Sequence, residues 1–251
     1  MKIKMTSLVG GLLVFAGVVV AEMTYQYPAS NTTVKATGKA HLFILSGQSN
    51  MERLDPAISF TPAVIKAFGA DSVIVVKDAK GSQPISSWYK EWKSVEGGTA
   101  RNRGALYDRL MGSVNAAIAG REIETVTFIW MQGERDAVTG QAAVYKASLD
   151  GLFAQLKQDL KREDIHFVLG RLSDAGVNGN HHENWQAIRE LQVAYADASP
   201  IGAWVNCDDL NDKTGRKAGK ASNGSVHYTQ EGYKLLGERF AEKATQLIKP
   251  R

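Results

Sequence analysis

Short apolar runs alternate with longer segments of helical periodicity from about residue 40 to the end of the chain. Turn residues or polar clusters bound each apolar run, and runs of this length and composition are typical of buried β-strands. The predicted strands cover residues 41–46, 72–77, 126–131, 165–172 and 201–205. Residues 22–39 carry few large apolar side chains, so we expect a linker or an edge segment there.

The segments between and after the strands carry helical periodicity. The predicted helices cover residues 62–68, 105–119, 141–160, 184–198 and 230–248. In the last of them Thr229 is placed to cap the N-terminus, and the apolar residues recur at spacings of three and four, at Tyr233, Leu236, Phe240, Ala244 and Leu247. Five strands that alternate with helices predict a parallel sheet with helices on both faces. We therefore expect one three-layer α/β/α domain over residues 40–251.

The first predicted strand ends in a polar segment. The apolar run breaks at Gly47 and is followed by Gln48, Ser49 and Asn50. In open α/β sheets, ligands bind beyond the carboxyl ends of the strands. Ser49 is therefore a candidate nucleophile, which needs a base within hydrogen-bond reach and donors for the oxyanion that forms.

Histidine is the side chain that most often serves as such a base. The chain has five histidines, at positions 41, 166, 181, 182 and 227. The first lies at the wrong end of its strand, the second lies within an apolar strand, and the next two precede a helix where solvent exposure is expected. His227 lies between the fifth strand and the last helix, at the carboxyl edge of the sheet, and is the favoured base. The alternative is a surface histidine that caps the last helix.

Candidate oxyanion donors follow the first three strands. They are the backbone amides of Ser49 and Gly81 and the side chain of Gln132. Gln132 lies in the segment Trp130-Met-Gln-Gly-Glu-Arg-Asp136, where polar residues interrupt an apolar run. This interruption favours a site, although Gln132 and Glu134 would also suit a polar network that supports the loops.

Residues 78–104 form a long predicted loop on the same sheet edge, and loops of this length in a compact domain are often functional. Gln48 and Asn50 flank Ser49 and are expected to contact substrate.

The net charge limits the classes of binding partner, and the N-terminal segment indicates where the protein is located. The 30 basic and 26 acidic residues nearly balance, so nucleic acid and anionic membranes are not indicated as partners. Lys2 and Lys4, the apolar residues 5–20 and the small residues before Glu22 predict a secretory signal peptide cleaved after Ala21. The alternative is an uncleaved anchor, for which the run is short. We expect a secreted or periplasmic protein with no membrane contact after cleavage.

Four segments, in this order along the chain, resemble a known family. They are Gly47-Gln-Ser-Asn-Met51, Gly81-Ser-Gln-Pro-Ile-Ser-Ser-Trp88, Trp130-Met-Gln-Gly-Glu-Arg-Asp136 and His227-Tyr-Thr-Gln-Glu-Gly-Tyr233. Together they are similar to the sialate O-acetylesterase-like, carbohydrate esterase branch of the SGNH hydrolases, over about residues 40–245.

The resemblance implies a flavodoxin-like fold with five parallel strands and a serine esterase that removes acetyl groups from sugars. It implies Ser49 as nucleophile, His227 as base, and an oxyanion hole made by the amides of Ser49 and Gly81 with the side chain of Gln132. It implies no metal and no organic cofactor. With a sugar as substrate, Trp88 is expected either to stack on the sugar or to form the core of the long loop. Arg53 and Arg135 are expected to meet an acidic sugar or to be solvated charges.

One position departs from the family pattern. In the family an Asp stands two or three residues before the histidine and orients it, whereas Gly224 and Ser225 occupy these positions here. The orienting group is then expected from Glu134 or Asp136, from Asp208 or Asp209, or from a backbone carbonyl that leaves a Ser–His dyad. Glu134 ranks first because its segment should face Ser49.

Two other functions stay open. Loss of the orienting Asp costs about 10⁴-fold in the trypsin-type triad, so a weak esterase or an inactive carbohydrate-binding relative is one alternative. An esterase of the same superfamily that acts on lipids or other small esters is the second.

Overall fold

A parallel sheet of five strands forms the centre of the computed structural model, which describes residues 38–211 and 225–249. The strands are β1 (Ala40–Gly47), β2 (Val73–Ala79), β3 (Ile123–Met131), β4 (Ile165–Gly170) and β5 (Gly202–Val205), in the spatial order β2-β1-β3-β4-β5. This order is that of flavodoxin-like sheets. All five predicted strands are confirmed, with ends that differ from the predictions by three residues or fewer. The predicted signal peptide and Gly224 lie outside the described residues.

Helices cover both faces of the sheet. They are α1 (Ser49–Arg53), α2 (Phe60–Phe68), α3 (Ala105–Ile118), α4 (Glu134–Val138), α5 (Ala142–Leu160), α6 (His182–Asp197) and α7 (Gln230–Ile248). Phe43 of β1 packs on Phe60 of α2, while Phe128 of β3 packs on Phe153 of α5. Because Phe43 pairs with Thr127, Phe128 points to the opposite face. The three-layer α/β/α prediction is confirmed.

The five longer helices were predicted, and α7 is capped as expected. The hydroxyl of Thr229 accepts a hydrogen bond from the amide of Gly232 at 2.9 Å. The helices α1 and α4 were not predicted, because a helix of five residues is too short to show a periodic apolar face. No helix in residues 38–211 and 225–249 is long and apolar enough to cross a membrane.

The register of the sheet brings three loops together. Gly47 at the end of β1 pairs with Ala79 of β2 on one side and with Met131 of β3 on the other. The three strands therefore end at the same level, and the segments that contain Ser49, Gly81 and Glu134 leave the sheet side by side.

Candidate active site

The structure brings Ser49 and His227 into contact. Ser49 is the first residue of α1, directly after β1, and His227 lies in the loop that precedes α7. The Nε2 atom of His227 lies 3.0 Å from the Oγ atom of Ser49. Burial lowers the pKa of His227 below its ordinary value, and the nearby charge of Arg53 lowers it further. The imidazole is therefore neutral near pH 7 and can accept the hydroxyl proton.

Gly47 determines how the chain leaves β1 toward Ser49. Its φ angle is +140°, a conformation that glycine adopts at no steric cost. A Cβ atom at this position would lie 2.0 Å from the carbonyl oxygen of Met131. The next residue, Gln48, donates its backbone N–H to that same carbonyl at 2.9 Å. Glycine is thus required for the close approach that places Ser49 beyond the strand end.

Gly81, an expected oxyanion donor, already has a partner. Its amide donates to the Oε2 atom of Glu52 at 3.0 Å. The Glu52 side chain is about half exposed, and its other oxygen lies 3.9 Å from Nζ of Lys80. The Gly81 amide can meet an oxyanion only after this carboxylate has moved away.

Gln132, the second expected donor, is fully buried beneath the site. Its amide nitrogen has three acceptors within reach, namely the Asp136 carboxylate at 2.6 Å, the Gln83 carbonyl at 3.1 Å and the Gln48 side-chain oxygen at 3.3 Å. An amide nitrogen carries two hydrogens, so none is left for an oxyanion in this arrangement. These contacts fit the alternative expectation for Gln132, which is a polar network that supports the loops.

The carboxylates considered as partners of His227 are engaged elsewhere. Asp136 accepts from Gln132 and from the amide of Ile85, and Asp209 pairs with Arg239. Asp208 pairs with two arginines, Arg171 at 2.5 Å and Arg189 at 2.8 Å. Among residues 38–211 and 225–249, no carboxylate forms a hydrogen bond with the ring of His227.

An open pocket of about 350 Å³ lies over Ser49 and His227. Its lining includes Ser49, His227, Glu134 and Arg135 from the predicted set. A second groove of about 440 Å³ runs along β5 and shares no lining residue with this pocket. Ser49 and His227 line the smaller pocket and not this groove, so the smaller pocket is the candidate active site.

A family model matches most of this chain. The matched family is described as carbohydrate esterase, sialic acid-specific acetylesterase, and the match covers residues 52–246. The chain belongs to this carbohydrate esterase family. The match begins after Ser49, so it does not include the candidate nucleophile. No curated protein matches the chain in sequence.

Solved structures share the fold at low sequence identity. An Arabidopsis thaliana protein has a TM-score of 0.60 and 19% identity, over 82% of this chain and 98% of that one. A carbohydrate acetylesterase from Xanthomonas citri has a TM-score of 0.59 and 16% identity, over 82% of this chain and only 56% of that one. The NanS structure has a TM-score of 0.59 and 13% identity, over 85% and 98%. At these identities the likeness establishes the fold alone.

Glu134 lies in the pocket of this carbohydrate esterase but does not bond to the histidine. Its Oε1 atom accepts from the side-chain nitrogen of Asn50 at 2.9 Å, and its Oε2 atom is buried without a partner among the described residues. Burial raises the pKa of Glu134 to about 7, and it raises that of Asp136 to about 6. Two acidic side chains of the esterase are therefore protonated far more readily than in water.

Replacing Glu134 by Gln is expected to remove the loss of stability that the raised pKa of Glu134 causes as the pH increases. A pKa raised from 4.5 to about 7 means that the folded state holds this proton more tightly than the unfolded state does. The associated stability is complete below about pH 4.5 and is lost as the pH rises through about 7. Since Gln does not ionise, the free energy of unfolding of Glu134→Gln should gain about 3 kcal/mol on the wild type between pH 4.5 and pH 8. Urea unfolding at both pH values measures this, and an equal gain for the exposed control Glu238→Gln would contradict it.

Trp88 does not form a sugar platform in this esterase. Its side chain is fully buried and meets the ring of Trp130 edge-on at 5.1 Å. The buried position contradicts the expectation that Trp88 stacks on a sugar, and it places Trp88 in the core of the domain against β3 rather than in a separate core of the loop. Gln48 is buried too, where its side-chain oxygen accepts from the amide of Arg135 at 3.1 Å.

Several pocket residues were not predicted. They are Ser82, Val138, Ala175, Gly176, Trp185 and Val226. Ser82 has a φ angle of +61°, which is rare outside glycine and marks a strained position next to Gly81. Trp185 donates its ring N–H to the carbonyl of Ser173 at 2.8 Å and packs on Gly176. The sequence could have indicated Ser82, because it is a polar residue directly after Gly81. The pocket wall around Trp185 could not be predicted, because it forms only when distant segments of the chain fold together.

Proposed function

We propose that this esterase removes O-acetyl groups from carbohydrates through an acetyl-serine intermediate on Ser49. The contact of 3.0 Å between Nε2 of His227 and Oγ of Ser49, at the base of an open pocket, carries the proposal. Membership of the carbohydrate esterase family supports the substrate class.

The reaction has two steps. In the first, His227 takes the hydroxyl proton of Ser49 while Oγ attacks the acetyl carbonyl, and the protonated His227 then gives that proton to the departing sugar oxygen. In the second, His227 takes a proton from water, the hydroxide adds to the acetyl-serine, and acetate leaves as Ser49 recovers its proton. The amide of Ser49 supports the oxyanion in both steps, and Gly81 joins it once Glu52 has moved.

Two arginines favour an acidic sugar, such as a sialic acid, over a neutral one. Arg135 lines the pocket, and Arg53 lies close enough to lower the pKa of His227. Neither guanidinium has an acidic partner among the described residues. A carboxylate on the substrate would supply the missing countercharge.

Acetate release from acetylated sugars tests the proposal. We expect faster release from an O-acetylated sialic acid than from acetylated xylan. Release from lipid or other small esters alone would favour the alternative esterase. Binding of the glycan without any acetate release would favour an inactive relative, a candidate kept in view because no carboxylate bonds to His227 in the described residues.

Glu52→Ala is expected to raise kcat/KM. In the variant the Gly81 amide is free to bind the oxyanion without first breaking its hydrogen bond to the Glu52 carboxylate. One exposed hydrogen bond is worth about 1 kcal/mol, which corresponds to a roughly fivefold increase in kcat/KM. Initial rates on p-nitrophenyl acetate measure the effect, with the exposed Glu91→Ala as matched control. A fall in kcat/KM for Glu52→Ala would instead mean that the Glu52–Gly81 contact positions the loop for catalysis.

The proposal includes export of the chain. The basic start, the apolar residues 5–20 and the small residues before Glu22 support a signal peptide cleaved after Ala21, followed by a linker to residue 39 and an esterase domain from residue 40. The mature protein would then act on sugars outside the cytoplasm.

A further inference from the structure

We infer that Asn50 is the positioning residue that orients His227, in place of the carboxylate found in a Ser–His–Asp triad. The inference rests on the proposed esterase reaction and assigns a role that the reaction leaves open. Within residues 38–211 and 225–249, Nδ1 of His227 has no hydrogen-bond partner. Something else must hold the imidazole against Ser49.

Asn50 joins the helix of the nucleophile to the loop of the base. Its side-chain nitrogen donates to the carbonyl of Val226 at 3.0 Å and to Oε1 of Glu134 at 2.9 Å. Its side-chain oxygen accepts from the hydroxyl of Tyr233 at 2.9 Å. The side chain is 1% exposed, so these three bonds face no competition from water.

The same frame reaches the residue after the histidine. The hydroxyl of Tyr233, which donates to Asn50, accepts from the amide of Tyr228 at 3.3 Å. The amide of His227 itself donates to the hydroxyl of Ser225 at 3.1 Å. The backbone is therefore fixed immediately before, at and after His227, and the direction of its Cα–Cβ bond is fixed with it.

An amide side chain is required for this arrangement. Position 50 must donate two hydrogens and accept one, which Asn can do, whereas Asp has no hydrogens to give and an apolar residue makes none of the bonds. Glu134 accepts from Asn50 through a carboxyl oxygen, an interaction that is possible in its charged or neutral form. Glu134 therefore serves as an acceptor for Asn50 and not as a partner of His227.

Asn50→Ala and Tyr233→Phe test the assignment. We expect kcat on p-nitrophenyl acetate to fall by about 30- to 100-fold in Asn50→Ala and by about tenfold in Tyr233→Phe, with KM within twofold of wild type, because a small misplacement of a reacting group costs up to about 10²-fold. Active-site titration with an organophosphate counts the reactive serines in each sample, so that each kcat can be given per reactive serine. Tyr107→Phe is the matched control, since Tyr107 is a buried tyrosine whose hydroxyl bonds to Asp159 at 2.7 Å, away from the pocket.

The imidazole tautomer gives a readout that a purely structural role would not change. While Nε2 accepts from Ser49, His227 carries its hydrogen on Nδ1, and ¹⁵N shifts of labelled protein report this state. In Asn50→Ala and Tyr233→Phe, the ratio of the two His227 tautomers should move toward that of free histidine. The resonance of His227 is identified by its absence from the spectrum of His227→Ala. If Asn50→Ala fails to fold, Tyr233→Phe decides by the same measurements.

Two results would overturn the inference. One is a kcat within twofold of wild type in both variants. The other is a loss of activity that matches the loss of titratable serine, with the tautomer ratio unchanged, since that outcome means that Asn50 only supports the fold. If wild-type protein releases no acetate at all, the proposed function fails, but the tautomer ratio still tests whether Asn50 orients His227.

Discussion

Ser49→Ala will lose nearly all esterase activity while the protein stays folded. In a serine hydrolase, removal of the nucleophile lowers kcat by roughly 10⁴- to 10⁶-fold, because no covalent intermediate can form. Among the described residues, the hydroxyl of Ser49 forms a hydrogen bond only with His227, so its loss should shift Tm by no more than about 2 °C. Acetate release and a thermal melt of the same sample measure both effects.

His227→Ala should match Ser49→Ala, and the double variant should be no worse than either single one. Groups that act as one unit give such non-additive losses. Ser59→Ala is the control, because Ser59 is also a buried serine but its hydroxyl has no partner among the described residues. Activity of Ser49→Ala within tenfold of wild type would remove Ser49 from the mechanism.

Gly47→Ala is expected to destabilise the protein by about 3 kcal/mol or more and to abolish activity. Two costs combine at this position. The φ angle of +140° is strained for alanine, and the new Cβ atom would meet the Met131 carbonyl oxygen at 2.0 Å. Relief of that overlap must push β1 away from β3 where Ser49 leaves the sheet.

Gly140→Ala separates these two costs. Gly140 also has a positive φ angle, +73°, but an added Cβ atom would meet nothing within 4 Å. Its replacement should cost only the backbone strain, about 1 kcal/mol. Urea unfolding of both variants gives the difference, and equal losses would show that the contact with Met131 is unimportant.

The strands and the positions of Ser49 and His227 at one edge of the sheet were predictable because local signals determine them. Strands buried on both faces appear in the sequence as apolar runs. Ser49 follows the end of the first predicted strand, and His227 precedes the last predicted helix. Both positions lie at the carboxyl edge of the sheet. The parallel register then makes neighbours of segments that follow β1, β2 and β3. The order of the strands places these segments next to one another, whatever contacts their side chains make.

The partners of the site residues were not predictable in the same way. Asp208 was a reasonable candidate for His227 until the structure placed Arg171 and Arg189 beside it, one of them from α6. Gly81 was a reasonable donor, yet Glu52 occupies its amide from 29 residues away. Such pairings depend on side-chain distances across loops, and no periodicity in the sequence reports them.

The contact between Ser49 and His227 also orders events during synthesis. The two residues are 178 positions apart, and the bonds of Asn50 to Val226 and Tyr233 span 176 and 183 positions. A ribosome delivers β1 and Ser49 early, but His227, the proposed base, arrives just before α7. Pairings over such separations form late because the closure entropy of a long loop must be overcome first. A partly made chain that lacks His227 would carry Ser49 without its proposed base, so esterase activity is expected only after His227 and α7 have been added.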